Sequence, residues 1–207
     1  MLGKSTLPRT TGVHISQIYG DLYQRLEPDR YTKGVPPPEI LEVGLSFEYQ
    51  LERMLEDGLK ARLAGAVRPG ELISPEGIYF SPDLMVFNGT QRVGEIKLTW
   101  MSTKEVPVTT SNSFPPKFDK WFTQMKSYCH LLETPLARLI AFFVLSDYGH
   151  MKQRGARPGA RKGAGPDLRA WDIEFTAREL KENWALMLRH GQDMGVLGAN
   201  GKVIATE

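Results

Sequence analysis

The run from Ile78 to Leu98 constrains this chain more than any other segment. Two strand-like stretches, Ser81-Pro82-Asp83-Leu84-Met85-Val86-Phe87 and Arg92-Val93-Gly94-Glu95-Ile96-Lys97-Leu98, meet around Asn88-Gly89. Asn-Gly between β-type runs is a strong local hairpin signal. Side chains alternate between the faces of a strand, so register decides which polar groups can meet. Glu95 and Lys97, two apart, share a face in any register. Asp83 depends on the turn. A two-residue Asn88-Gly89 turn pairs Phe87 with Thr90 and sends Asp83 and Glu95 to opposite faces. A three-residue loop, Phe87-Asn88-Gly89, with Gly89 left-handed in a bulge, returns both carboxylates to one face. Two carboxylates and a lysine can serve one site only with that offset or an equivalent bulge.

The flanking segments predict a mixed architecture. His14-Ile15-Ser16 leads into a short helix within 11–26, with Ser16 as its cap. Residues 30–38, ending in three prolines, must be extended. Pro38-Glu39 opens a helix to about Leu63, on which Phe47, Leu51, Met54, Leu55 and Leu59 recur at helical spacing. Glu48 borders that stripe. It is either a rim glutamate in water or a carboxylate that needs a partner or a metal. Residues 102–116 form a long polar loop. Lys117 to Leu132 is a helix whose core face is Phe118, Trp121, Phe122, Met125, Cys129 and Leu132, with Gln124 and Tyr128 one turn apart on its flank. Strands follow at Ala137–Leu145 and Leu168–Phe175. A last helix spans Ala177–His190, capped by Thr176 with Glu179 three later, and a small hairpin around Asn200-Gly201 ends the chain. This order predicts an α/β fold with a central mixed β-sheet flanked by helices. We expect a single domain: an N-terminal extension over 1–38, a core over 39–190 and a tail over 191–207.

Composition narrows the function classes. Among 207 residues Cys129 is the only cysteine, which excludes an internal disulfide, a cysteine-rich zinc site and a four-cysteine iron–sulfur cluster. A lone cysteine, no signal-peptide apolar region and no membrane-length apolar run make a cytoplasmic location the expectation. A net charge of +2 is too small to mark a nucleic-acid binder, so any such signal must be local. One local signal is 149–166, which carries Lys152, Arg154, Arg157, Arg161 and Lys162 with five glycines and no acid. It reads equally as a solvated linker or as a flexible phosphate-binding arm. Lys117, Lys120 and Lys126 alternate with Phe118, Trp121 and Phe122, a mix that could track a nucleic-acid strand, although core packing explains most of those aromatics.

Mg²⁺ takes hard oxygen ligands and keeps several waters, so one or two carboxylates suffice as anchors. Asp83 and Glu95 can supply them, the Ile96 carbonyl can be a third ligand, and Glu48 can complete the shell directly or through water. Lys97 could orient or deprotonate an attacking water, its pKa lowered beside the bound cation, or neutralise developing charge on a phosphate. The bland alternative is a surface Glu95–Lys97 ion pair worth ~0–1 kcal/mol.

Pro82-Asp83 followed by Glu95-Ile96-Lys97 resembles the signature of the PD-(D/E)xK nuclease superfamily. Gln124-Met125-Lys126-Ser127-Tyr128 resembles the Q-x-x-x-Y motif of its RecB-like branch, which includes the CRISPR-associated RecB-like exonucleases. His14-Ile15-Ser16 is similar to that branch's N-terminal segment. Gly44-Leu45-Ser46-Phe47-Glu48 is similar in spacing to its G-x-x-x-H motif, with Glu48 where many members place a metal-binding histidine. The resemblance implies a restriction-endonuclease-like core, Mg²⁺ or Mn²⁺ at Asp83 and Glu95, and catalysis by Lys97. It also implies that Gln124 and Tyr128 position the active site and DNA, and that no iron–sulfur cluster is present, since relatives with one use four cysteines. The implied activity is metal-dependent hydrolysis of DNA, as an exonuclease on ends or single strands. A structure- or sequence-specific endonuclease and a non-catalytic nucleic-acid-binding protein are the alternatives. DNA is the expected partner. Protein partners, oligomeric state and a viral or mobile-element origin stay open.

Overall fold

The computed structural model describes residues 10–31, 46, 50, 53, 66–67, 69–101, 103, 106, 114–144 and 167–204. The expected helix over 39–63, with Glu48, lies outside them except for Ser46, Gln50 and Arg53, which are helical. The basic segment 149–166, with Lys152, Arg154, Arg157, Arg161 and Lys162, lies outside them as well.

Helix α1 (Ile15–Leu26) buries Ile15, Ile18, Tyr19, Leu22 and Tyr23 along one stripe. Its cap is His14, not Ser16. His14 is the last extended residue (φ −103°, ψ 142°), and its N–H donates to Gln17 Oε1 at 2.8 Å. The chain arrives in a β conformation because Tyr79 N–H donates to Val13 O at 2.8 Å, so the helix starts two residues earlier than the serine signal suggests. A single turn, α2 (Pro28–Tyr31), follows.

The strands are β1 (Ala66–Val67), β2 (Leu72–Ile73), β3 (Tyr79–Phe80), β4 (Leu84–Asn88), β5 (Thr90–Thr99), β6 (Leu136–Phe143) and β7 (Asp167–Glu174). Five of them form one sheet in the order β1-β4-β5-β6-β7. The β5–β6 pair is parallel, and the β1–β4, β4–β5 and β6–β7 pairs are antiparallel. β2 and β3 form a separate two-stranded sheet. β1 and β2 carry no sequence signal strong enough for their length, two residues each. A parallel pair needs a crossover. It is made through a 3₁₀ turn (Pro116–Phe118) and helix α3 (Asp119–Leu131). α4 (Ala177–Asp193) opens with the expected capping box, in which Glu179 N–H donates to Thr176 Oγ1 at 3.2 Å and Thr176 N–H to Glu179 Oε2 at 2.9 Å. The architecture is therefore α/β, a central mixed sheet flanked by helices. After α4, Leu197 and Val203 bridge around Gly201 at φ +75°.

The β4–β5 register resolves the face question. Asn88 pairs with Thr90 and Leu84 with Gly94, so the chain reverses on Gly89 alone, at φ +73°. This is tighter than the three-residue loop, yet it preserves the same parity. One step beyond Leu84↔Gly94, position 83 stands opposite position 95.

The sheet has an apolar cluster on each face. Val93, Ala137, Leu139, Ala141, Phe143 and Trp171 belong to the main core with α1, α3 and α4. Leu84, Ile96 and Ile140 form a smaller cluster. Glu95 and Lys97 alternate with Ile96, so they project to the helix side. α1 packs on α3 and α4, which makes the segment read as an extension a wall of the core. Phe114, Phe118, Phe122 and Trp171 meet ring to ring. The aromatics of α3 are thus core side chains.

Two outcomes test this packing. A Cβ on Gly94 would sit 2.8 Å from Leu84 Cβ, a backbone-attached atom that cannot swing away. Gly94→Ala should lower stability by about 1–3 kcal/mol in urea unfolding; an unchanged midpoint would contradict the register. Burial pushes the Cys129 thiol up to about 12, so it stays neutral near pH 8. The native protein should alkylate with iodoacetamide far more slowly than the urea-unfolded chain.

Candidate active site

The site grows out of the β4–β5 register. Glu95 is fully buried at 1% exposure, beside Val93 and opposite Leu139 of β6. A carboxylate there carries a desolvation penalty of several kcal/mol unless it is compensated. Lys97, two residues on and on the same face, donates to Glu95 Oε1. The small Ala141 stands beside it on β6. The pair is therefore not the surface ion pair of the bland alternative. Asp83, just before β4, is half-buried, and its Oδ2 accepts the Ile96 N–H at 2.7 Å. Ile96 lies beyond Leu84↔Gly94, the last β4–β5 pair, and its N–H takes this side-chain acceptor. The N–H and C=O of one residue point to the same edge of a strand, so the Ile96 carbonyl is also directed to the Asp83 side.

Both carboxylates act on the lysine. Burial pushes the Lys97 pKa down, but Glu95 and then Asp83 outweigh it, leaving the amine above the ordinary lysine value. With two carboxylates facing it, the amine is held toward its charged form.

Helix α3 closes the site from above. Lys97 Nζ also donates to Gln124 Oε1 at 3.1 Å. An ammonium can only donate, so the amide oxygen must face it and the amide NH₂ turns the other way. There Gln124 Nε2 donates to Tyr128 Oη at 3.0 Å. Gln124 and Tyr128 are buried and one turn apart, which is why the i, i+4 spacing reads as one stripe. Burial first, then the Glu95 charge, hold the Tyr128 phenol well above its ordinary value, so it stays neutral.

Lys120 lies one turn before Gln124 on the same stripe. Its amine sits 4.8 Å from the Tyr31 ring centroid and 5.8 Å from that of Tyr19, and both burial and the Lys97 charge lower its pKa. Lys126 is elsewhere. Two residues from Gln124, it points across the helix to Glu179 at 3.1 Å and over the Phe175 ring at 5.3 Å. Lys117 lies half-buried in the 3₁₀ turn. The three lysines therefore do not form one surface.

Tyr19 of α1 is the neighbour the sequence did not mark. It contributes to the electrostatics of both Lys97 and Tyr128. Its position on the inward stripe of α1 reads as core, and nothing in the spacing shows which polar groups its hydroxyl approaches.

Asp83 and Glu95 both act on Lys97; with the Ile96 carbonyl they could supply hard oxygen ligands of the kind Mg²⁺ or Mn²⁺ takes. Among the described residues no three His, Cys, Asp or Glu side chains gather as a metal group, and Glu48 is outside those residues.

No family model and no curated protein matches the chain. Among solved structures, that of SSO0001 is 16% identical with a TM-score of 0.48, covering 94% of this chain and 81% of that one. A phage related exonuclease from Haemophilus somnus 129PT is 14% identical with a TM-score of 0.44, covering 86% and 79%. Neither likeness assigns a role to a residue here. No described helix is long and apolar enough to cross a membrane.

Tyr128→Phe removes the only acceptor seen for Gln124 Nε2 among the described residues. It should cost about 1–3 kcal/mol in urea unfolding while leaving the fold intact; wild-type stability would show that this amide finds its partner elsewhere.

Proposed function

We propose that this chain is a metal-dependent nuclease that hydrolyses DNA phosphodiester bonds, working from DNA ends or on single strands. One observation supports it above others: Asp83, Glu95 and Lys97 converge on one face of the β4–β5 hairpin, with Gln124 and Tyr128 packed over them. A buried carboxylate beside a second carboxylate and a charged lysine is an expensive arrangement to fold around. A site for a cation and a phosphate gives it a use. The preference for ends and single strands comes from the RecB-like resemblance of the two motifs.

In this reading Asp83, Glu95 and the Ile96 carbonyl hold Mg²⁺ or Mn²⁺. The ion would supply an activated water and neutralise charge at phosphorus. The chain's own groups do the rest. Lys97 places positive charge beside the phosphate oxygens and orients the attacking water. Gln124 fixes the lysine amine through its carbonyl oxygen, and Tyr128 fixes the amide. Burial under α3 keeps these dipoles in place, so little reorganisation is needed as charge develops.

The test is incubation with labelled linear, circular and single-stranded DNA, with Mg²⁺, Mn²⁺ or EDTA. Linear and single-stranded DNA should be degraded with metal and not with EDTA; cutting of closed circles would replace the exonuclease assignment with an endonuclease. Lys97→Ala strips a buried carboxylate of its partner and should cost roughly 3–5 kcal/mol of stability, so it cannot separate chemistry from folding. Lys97→Arg and Asp83→Asn retain charge or acceptor. Each should lower cleavage by about 100-fold or more with little change in the thermal midpoint. Wild-type rates in both variants would remove this site from the chemistry.

A further inference from the structure

We propose that Lys120, seated on the rings of Tyr31 and Tyr19, is a second phosphate-binding cation of this site, holding the substrate backbone beside the phosphate that Lys97 faces. The inference rests on the phosphodiester reading above and adds α1 and α2 to the substrate-binding wall.

Three observations carry it. First, Lys120, Gln124 and Tyr128 fall at i, i+4 and i+8 on α3, so the stripe that touches Lys97 continues to Lys120. Second, the two ammonium groups are compensated differently. Lys97 is ion-paired with Glu95, whereas among the described residues no carboxylate lies within ion-pair distance of Lys120. Third, the Lys120 amine is already placed, 4.8 Å from the Tyr31 centroid and 5.8 Å from that of Tyr19, within the range of cation–π attraction. Tyr31 is itself braced edge-on by Tyr23, at 5.6 Å and 68°. A half-buried cation that feels another cation, with no anion beside it among the described residues, is poorly matched to those residues alone. It is well matched to a polyanion whose charges repeat along a strand. The ring faces hold the amine without neutralising it, as a carboxylate would. Nucleic acid is therefore the ligand class, and the phosphate backbone rather than a base edge is the feature bound.

The experiment measures binding apart from cleavage. Fluorescein-labelled single-stranded and duplex oligonucleotides are titrated with the full chain in EDTA over a range of salt, comparing wild type, Lys120→Ala and Lys120→Arg. Cleavage in Mn²⁺ is followed in parallel. Lys120→Ala should weaken binding by roughly 3-fold or more and lower the salt slope by about 0.7 on single strands. It should raise KM more than it lowers kcat, and Lys120→Arg should restore most of the slope. A lower thermal midpoint with unchanged affinity and slope would make Lys120 a strut between α3 and α1–α2, and would overturn the inference. Wild type that binds without cutting in any metal, with binding still dependent on Lys120, would overturn the hydrolase reading and keep the phosphate contact. Wild type that does not bind DNA would overturn both.

Discussion

The burial of Glu95 is the constraint around which the rest is arranged. A strand in the middle of a sheet, covered by helices, is the worst place in a protein for a carboxylate. Here it stands at 1% exposure. Lys97 neutralises it from the same strand, and Asp83 caps the neighbouring Ile96 N–H. The cation is then held by Gln124, and Gln124 by Tyr128. Removing one member leaves a buried polar group uncompensated, so these residues stand or fall together.

The helices hold this network in place as well as covering it. Thr123 and Ser127, also buried on α3, tie the helix to its neighbours. Tyr23 Oη of α1 lies 2.9 Å from Thr123 Oγ1, and Asn183 of α4 donates to Thr123 O and Ser127 Oγ at 3.1 and 3.0 Å. His190 of α4 and Asp21 of α1 meet at 2.8 Å. α3 is thereby fixed on both flanks, which keeps Gln124 at one distance from Lys97. Tyr19 and Lys120 extend the same interface outward. Positive charge on α3 is divided by helical geometry: Lys120 faces the site, while Lys126, on the far side, is spent on Glu179.

Legibility in the sequence followed the strength of local periodicity. The hairpin, α3, β6, β7 and the capped α4 were readable because each combines a long periodic run with a turn or cap signal. β1 and β2 were not, since a two-residue strand has no period and exists only through its partner. The cap of α1 falls at His14 instead of Ser16 because an extended approach anchored by Tyr79 outweighs the preference for serine. For the site, Glu95-x-Lys97 and Gln124-x-x-x-Tyr128 were legible as pairs, one set by the strand period and the other by the helix period. That the two pairs meet follows from neither spacing and is implied only by the family resemblance.

By itself the sequence determined the pairs, the α/β class and the parity question at Asn88-Gly89, because these depend on spacings of two and about 3.6 residues that the chain carries wherever it folds. The tertiary structure decided which answer to the parity question holds, with the turn closing on Gly89 alone and bringing Asp83 opposite Glu95. It also decided that Glu95 and Asp83 both act on Lys97 and that Lys120 lies against the rings of Tyr19 and Tyr31. These are consequences of low dielectric and of contacts between residues distant in sequence. Neither exists until the helices have closed over the sheet.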